Sequence, residues 1–412
     1  MAGPLDGIRV LEFTSVVLGP WACQMLGDLG ADVIKVEPPT GDTNRNLGPS
    51  RNHADMSALF MTCNRNKRSV VLDLKTPQGQ QAALRLAARA DVLVHNFRPQ
   101  AMEKLGLDYP RVKAVKPDIV YCATYGYGKA GPYGDRGALD DSIQAVSGIA
   151  MLMKLVEGEP RYLPTIIADK TTAMAVVNAV LAALFHRART GEGQEIEVPM
   201  FETMVGYVMA EHLWGYAFDP PLGPAGYTRL MSLHRRPYKT RDGYLAVLPY
   251  WDNHWRAFCQ AAGRADLIDD RRFKDMKTRL KNIDATYAET ASAIAQKSTA
   301  EWLALLAKTN VPHMKVNELE DLVDDPHLNA IGFWQTADHP SEGRIRMTRP
   351  ATNFSRTPAA IHRLPPRLGA DSVAVLAEAG FSKDEIAAMI AAGITRTPDT
   401  EGETSDGQTR TG

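Results

Sequence analysis

The chain has 412 residues, 44% of them apolar, and its 47 Lys and Arg against 48 Asp and Glu leave a formal net charge of −1. That length exceeds the usual size of one hydrophobic core, so two domains are expected, and the balanced charge offers no electrostatic reason to bind nucleic acid or an acidic membrane surface. The four cysteines, Cys23, Cys63, Cys122 and Cys259, lack CxxC spacing and point to reduced thiols in a cytoplasmic protein rather than to a disulfide frame or a zinc site.

Met1-Ala2-Gly3-Pro4-Leu5-Asp6 lacks the basic region and apolar run of a secretory signal. Next come two strand-like runs, Ile8 to Phe13 and Asp32 to Glu37, with a helix between them from Pro20 to Leu29 that opens at proline and stops at Gly30. Further strands are expected at Ser69 to Leu74, Val92 to His95 and Ile119 to Ala123, separated by helical patterns at Pro77 to Ala88 and near Arg98 to Lys104. Such alternation predicts an α/β fold: a parallel sheet with helices on both faces. A long helix from Thr171 to Arg189 leads through Thr190-Gly191-Glu192-Gly193-Gln194 to a strand at Glu195 to Val198. Its apolar run, Ala173 to Phe185, is interrupted by Asn178 and closed by His186-Arg187, which argues against a bilayer span. Pro220-Pro221-Leu222-Gly223-Pro224 reads as a linker. The expected division is therefore a large domain over 1–220, a smaller domain over 227–323, a segment of short strand-like pieces over 324–394 with a last helix at Ser382 to Ala392, and a disordered tail over 395–412.

Asp169 stands where the apolar stretch Leu163 to Ala168 runs into the long helix. A carboxylate there can be held ionised by the helix dipole and free backbone N–H groups, and so serve as a nucleophile. It can equally be an ordinary helix cap. Other chemistries find little support. Tyr125-Gly126-Tyr127-Gly128-Lys129-Ala130-Gly131 contains the G-x-G-x-x-G string, but Pro132-Tyr133-Gly134 opens no helix, so a turn is expected instead of a dinucleotide site. No Walker A string, G-x-S-x-G elbow or metal-ligand spacing of histidines occurs, and no metal site is expected.

Gly7 to Thr14, Gly19-Pro20 and Leu26 to Glu37, followed by Asn66 to Lys75, Asn96-Phe97-Arg98-Pro99, Ala183 to Arg187 and Tyr238 to Tyr244, together resemble the family III CoA-transferases and their relative, the α-methylacyl-CoA racemase. The resemblance covers nearly the whole chain to about Ile394. It implies an interlocked homodimer with a large Rossmann-like domain built from both ends of the chain, so that 324–394 returns to the large domain, with acyl-CoA and carboxylic acid substrates as partners and no cofactor beyond coenzyme A as substrate. It also implies that Asp169 is catalytic, forming an aspartyl-CoA thioester on the path from acyl-CoA donor to free acid. Val16, Val17, Leu72, Lys75, Asn96, Phe97, Arg98 and Lys104 fall where the family contacts CoA.

Some positions depart from the family pattern. The racemase has a histidine where this chain has Leu139, directly before Asp140, and leucine cannot shuttle a proton. Asp140 is left either to orient substrate or to hold a loop. A bulky Tyr250-Trp251 loop stands where formyl-CoA transferase has a glycine run, so formyl or oxalyl transfer is not expected, and His95 replaces the family's usual glutamate. Arg229, His234, Arg235 and Arg236 form either a solvated loop or a receptor for the second carboxylate of a dicarboxylic acid. A racemase-like isomerase and a catalytically idle CoA-binding protein remain as alternatives.

Overall fold

Five short runs of the N-terminal part become strands buried on both faces, and a sixth, at the edge of the sheet, stays partly exposed. In this computed structural model, which describes residues 3–398, the strands are β1 (Arg9–Phe13), β2 (Asp32–Glu37), β3 (Lys67–Val71), β4 (Val92–His95), β5 (Val120–Ala123) and β6 (Glu195–Glu197). They form one sheet in the order β3-β2-β1-β4-β5-β6, with every neighbouring pair parallel. Leu11, Phe13, Ile34, Val70, Leu93 and Tyr121 pack on one face, against the helices Pro77–Ala87, Ser372–Glu378 and Lys383–Ala391. Parallel strands need such cover on both sides, which is why their sequences read as apolar runs rather than as alternation.

The chain divides into two compact units, and the smaller is wider than the sequence boundaries suggest. It comprises Gly148–Arg161 and Tyr207–Ile331, while the larger takes the chain up to Ser147, Tyr162–Gly206 and the stretch from Gly332. The helix Ile149–Glu157, bracketed by Gly148 and Gly158 in left-handed conformation, carries no signal that assigns it to the smaller unit; only packing does. That unit has its own core of Trp255, Phe258, Phe273 and Trp302 beside a three-stranded antiparallel sheet, β7 (Tyr238–Lys239), β8 (Tyr244–Val247) and β9 (His313–Lys315). A hairpin of β10 (Trp334–His339) and β11 (Gly343–Thr348) opens the return to the larger unit.

Two expectations need revision. Thr395 is buried and Arg396 reaches the carbonyl of Pro39, so the chain is ordered beyond the expected start of the tail; residues 399–412 lie outside the described residues. The helix expected from Thr171 runs instead from Ile167 to Thr190, and by length and hydropathy it is apolar enough to cross a membrane. Half of that apolar stretch is buried within the fold, and the helix packs against the helix Leu18–Asp28, as a core helix does. All four cysteines are free and buried.

Beneath the carboxyl ends of the first strands lies a buried ion network. Glu12 and Lys35 face each other in register on β1 and β2, with Lys35 Nζ 3.1 Å from Glu12 Oε1 and 2.8 Å from Asp42 Oδ2. Lys67 Nζ sits 2.8 Å from Glu12 Oε2 and also donates to the carbonyl of Pro20 and to Asn64 Oδ1. Lys35 donates to the Thr14 carbonyl, and Asp42 Oδ1 accepts from the backbone N–H of Val16. The network thus fixes the loop leaving β1. Val16 has a φ of 69° there, a strained setting for a β-branched residue that only surrounding contacts can hold.

Candidate active site

In a sheet of this order the strand succession reverses between β1 and β4, and the loops leaving their carboxyl ends diverge to open a crevice. Ser15 and Val16 from the first loop, Asn96 to Arg98 from the second, and Thr124 to Gly126 after β5 line a cleft of about 380 Å³ there. Asp169 opens into the same cleft.

Asp169 is the third residue of the helix Ile167–Thr190 and is 7% exposed. It is not the cap. Asp140 Oδ1 accepts the backbone N–H groups of Ala168 (2.7 Å) and Asp169 (3.0 Å), satisfying donors that the first turn leaves free. Asp140 Oδ2 accepts from Gln144 Nε2 at 2.6 Å, and Gln144 Oε1 accepts from the Leu163 N–H, so the approach to the helix is tied to the same pair. Asp140 therefore fixes the start of this helix. Among the described residues the Asp169 carboxylate itself makes no hydrogen bond.

This arrangement reverses the electrostatic expectation. Burial and then the charge of Asp140 lift the Asp169 carboxyl from its ordinary range to about 7. The helix end does not keep it ionised, because Asp140 has taken the N–H groups that would have done so. Asp140→Asn keeps an oxygen for those N–H groups but removes the charge. The acid limb of any rate dependent on ionised Asp169 is then expected to move to lower pH. A pH–rate profile superimposable on that of the parent would show the two carboxylates to be uncoupled.

The residues singled out for CoA contact separate into two groups. Val16, Asn96, Phe97 and Arg98 line the Asp169 cleft. Asn96 has little side chain to spare, since its amide accepts from the Ser15 N–H at 3.1 Å and donates to the Ser15 carbonyl at 2.8 Å; it clamps the two loops together. Leu72 is fully buried in the core, so its side chain cannot meet a ligand while the core is closed. Val17 is buried at the start of the helix Leu18–Asp28, and Lys75 and Lys104 are exposed away from the cleft lining. Tyr250 and Trp251 belong to the smaller unit, where Tyr250 packs edge-on to Trp251.

Other lining residues went unseen in sequence. Arg136 stands at the cleft with its guanidinium 4.3 Å from the centre of the Tyr133 ring, and with Arg98 it makes one wall basic. Tyr125 and Gly126, dismissed as part of a turn, form another wall; a Cβ on Gly126 would lie 2.4 Å from Cβ of Ala138, so glycine is required for the two segments to approach. The signal that could have found them is topological: loops at the carboxyl ends of strands beside the reversal point line the crevice. Leu139 also lines it and is 70% exposed.

Competing nucleophiles and bases are suppressed. Burial raises Cys23 and Cys63 and pushes Cys122 and Cys259 up to about 12, leaving no reactive thiolate. Burial drives His95 down to about 3, so that imidazole is neutral and packs against Tyr121.

A family model described as CoA-transferase family III matches residues 5–372. A succinate–glutarate CoA-transferase of Agrobacterium fabrum is 35% identical, over 91% of this chain and 95% of its own length. A probable fatty acyl-CoA transferase of Mycobacterium tuberculosis is 37% identical, over 79% of this chain and 85% of that protein. Among solved structures, a mutant of a Mycobacterium tuberculosis protein matches with a TM-score of 0.81 at 33% identity, covering 91% of this chain and 99% of that one. A Brucella suis protein, 33% identical, matches with a TM-score of 0.78 over 92% of this chain and all of its own.

Proposed function

We propose that this chain, which belongs to CoA-transferase family III, moves CoA from an acyl-CoA donor to a free carboxylic acid, with Asp169 as the residue that carries the acyl exchange. The observation behind this reading is the buried carboxylate at the floor of a cleft, without a hydrogen bond of its own and with its backbone fixed by Asp140. A nucleophile needs free lone pairs and a defined position, and Asp169 has both.

Ionised Asp169 attacks the donor thioester carbonyl; the C–S bond breaks, leaving an aspartyl anhydride and CoA thiolate. The thiolate then attacks the aspartyl carbonyl, forming aspartyl-CoA thioester and releasing the donor acid as carboxylate. An acceptor carboxylate runs both steps backwards, attacking the aspartyl thioester and taking CoA away. One thioester replaces another, so the chemistry needs no nucleotide hydrolysis. The basic wall of Arg98 and Arg136 suits the phosphates of CoA, and the apolar side chains of Val16 and Phe97 suit its pantetheine arm.

Relatives named for succinate–glutarate and for succinyl-CoA:mesaconate transfer favour a dicarboxylate acceptor. Racemisation has no support at the cleft, where Leu139 offers no second base. Exposed apolar side chains at Leu139, Val146, Met174 and Phe185 of the larger unit support assembly as a homodimer.

The test is to trap the intermediate. Incubation with succinyl-CoA followed by hydroxylamine should convert Asp169 to its hydroxamate, read by peptide mass spectrometry. Label on another residue, or none during active turnover, would refute the assignment. Because attack requires the ionised form, kcat/KM should fall about tenfold per pH unit below about 7.

A further inference from the structure

The smaller unit contains a cavity of about 420 Å³ whose polar lining is dominated by Arg229, Arg235 and Arg236, with His313 and the Tyr287 hydroxyl, set among apolar side chains such as Val247 and Leu248. No carboxylate lines it. Several other arginines of this unit are neutralised: Arg264 pairs with Asp266 and Glu289, Arg272 with Asp270, and the buried Arg279 with Asp252 at 2.6 Å. Among the described residues the three cavity arginines have no such partner. Arg229 meets neutral hydroxyls in place of a carboxylate: that of Tyr227 and that of Tyr287, to which it donates a long hydrogen bond of 3.4 Å, and its guanidinium lies 5.6 Å and 5.5 Å from the rings of Tyr227 and Tyr250. Its Nε is fully buried and has no hydrogen-bond partner at all.

A buried guanidinium donor without an acceptor is costly, and at the wall of a cavity a bound anion is one group that could relieve that cost. The planar fork of arginine matches the two oxygens of a carboxylate. Three such groups around a largely apolar hollow fit a small anion with a short hydrocarbon body. His234, grouped with these arginines in sequence, is not part of the lining; His313 from β9 takes that place.

We propose that this cavity is a receptor for the carboxylate of a short-chain dicarboxylic acid or of its half-thioester, with Arg229 as the principal contact and Arg235 and Arg236 at the mouth. The substrate class rests on the dicarboxylate transfer proposed above; the site itself lies wholly within the smaller unit. It would let the protein distinguish glutarate from pentanoate, which has the same chain length and lacks the second charge.

Calorimetric titration of the full chain with glutarate and with pentanoate tests this. The parent protein and Asp169→Asn should both prefer glutarate by about 10- to 100-fold, the worth of a hydrogen-bonded charge pair. Arg229→Met should erase the preference while leaving pentanoate binding within about threefold of the parent. Arg229→Lys, which keeps charge but loses the fork, should retain part of it. The exposed pair Arg235→Gln/Arg236→Gln provides a variant whose folding is not at risk, and it should weaken glutarate alone. Absence of any preference in the parent, or an unchanged glutarate-to-pentanoate ratio in the Arg229→Met or double variant, overturns the proposal. Failure of hydroxylamine to label Asp169 would instead defeat the transfer mechanism and leave this binding result standing.

Discussion

Asp169→Asn is expected to abolish CoA transfer and, at pH 8, to make the protein more stable. Removing a residue that forms the covalent intermediate costs about 10⁴-fold or more in kcat. The amide is nearly isosteric, so acyl-CoA binding should survive. The stability gain follows from the raised carboxyl. In the unfolded chain Asp169 loses its proton near pH 4, whereas in the folded protein it keeps it until about 7. Across that interval the folded state binds the extra proton, so stability falls as pH rises, and the full cost is present above 7. Asparagine has no proton to lose and escapes this cost. At about 1.4 kcal/mol per unit, a stabilisation of roughly 1–4 kcal/mol at pH 8 is expected, vanishing below pH 4. Urea denaturation at pH 4 and pH 8, beside transfer assays, reads both effects. Activity within tenfold of the parent would rule out Asp169 as nucleophile; equal stability at pH 8 would show that the site does not penalise its charge.

The largest loss of stability should come from Glu12→Gln. Glu12 is fully buried between the ammonium groups of Lys35 and Lys67 and also accepts from the Thr14 hydroxyl at 2.6 Å. Burial lowers Lys67 below the ordinary lysine range despite the pull of Glu12, while for Lys35 the carboxylates of Glu12 and Asp42 outweigh burial and raise it. Neutralising Glu12 leaves the two buried ammonium groups of Lys35 and Lys67 close together, with Asp42 and, more weakly, Glu37 in compensation. Breaking a buried pair from one side costs about 3–5 kcal/mol. The effect should extend to activity, because Lys35 holds the Thr14 carbonyl and Asp42 holds the Val16 N–H at the cleft. A denaturation midpoint lowered by less than the equivalent of about 1 kcal/mol would show the network to be dispensable.

Periodicity and punctuation in the chain were enough to place the six strands of the large sheet to within two or three residues, because the inner strands of a parallel sheet carry apolar runs and helices with clear start and stop signals separate them. The smaller unit was less legible. Its boundaries depend on which segments bury surface against one another, and Gly148–Arg161, distant in sequence from Tyr207–Ile331, joins them only through packing. The same limit explains Leu72: an apolar residue just after a strand reads alike whether it meets a ligand or the core.

At the site, residue types were legible and relations were not. The sequence by itself determined that a carboxylate, Asp169, stands where an apolar stretch runs into a long helix, and that position 139 carries leucine, which is no base. It could not assign the cap to Asp140, 29 residues upstream, nor therefore the charge of Asp169, since capping and burial are properties of neighbours in space. Only the tertiary structure decided that the helix begins at Ile167, that its free N–H groups are used by Asp140, and that Arg136 and Gly126 wall the cleft. The physical reason is the range of the forces involved. Strand and helix patterns follow from local geometry, whereas the ionisation of a buried group is set by desolvation and by charges that the fold brings within a few ångströms.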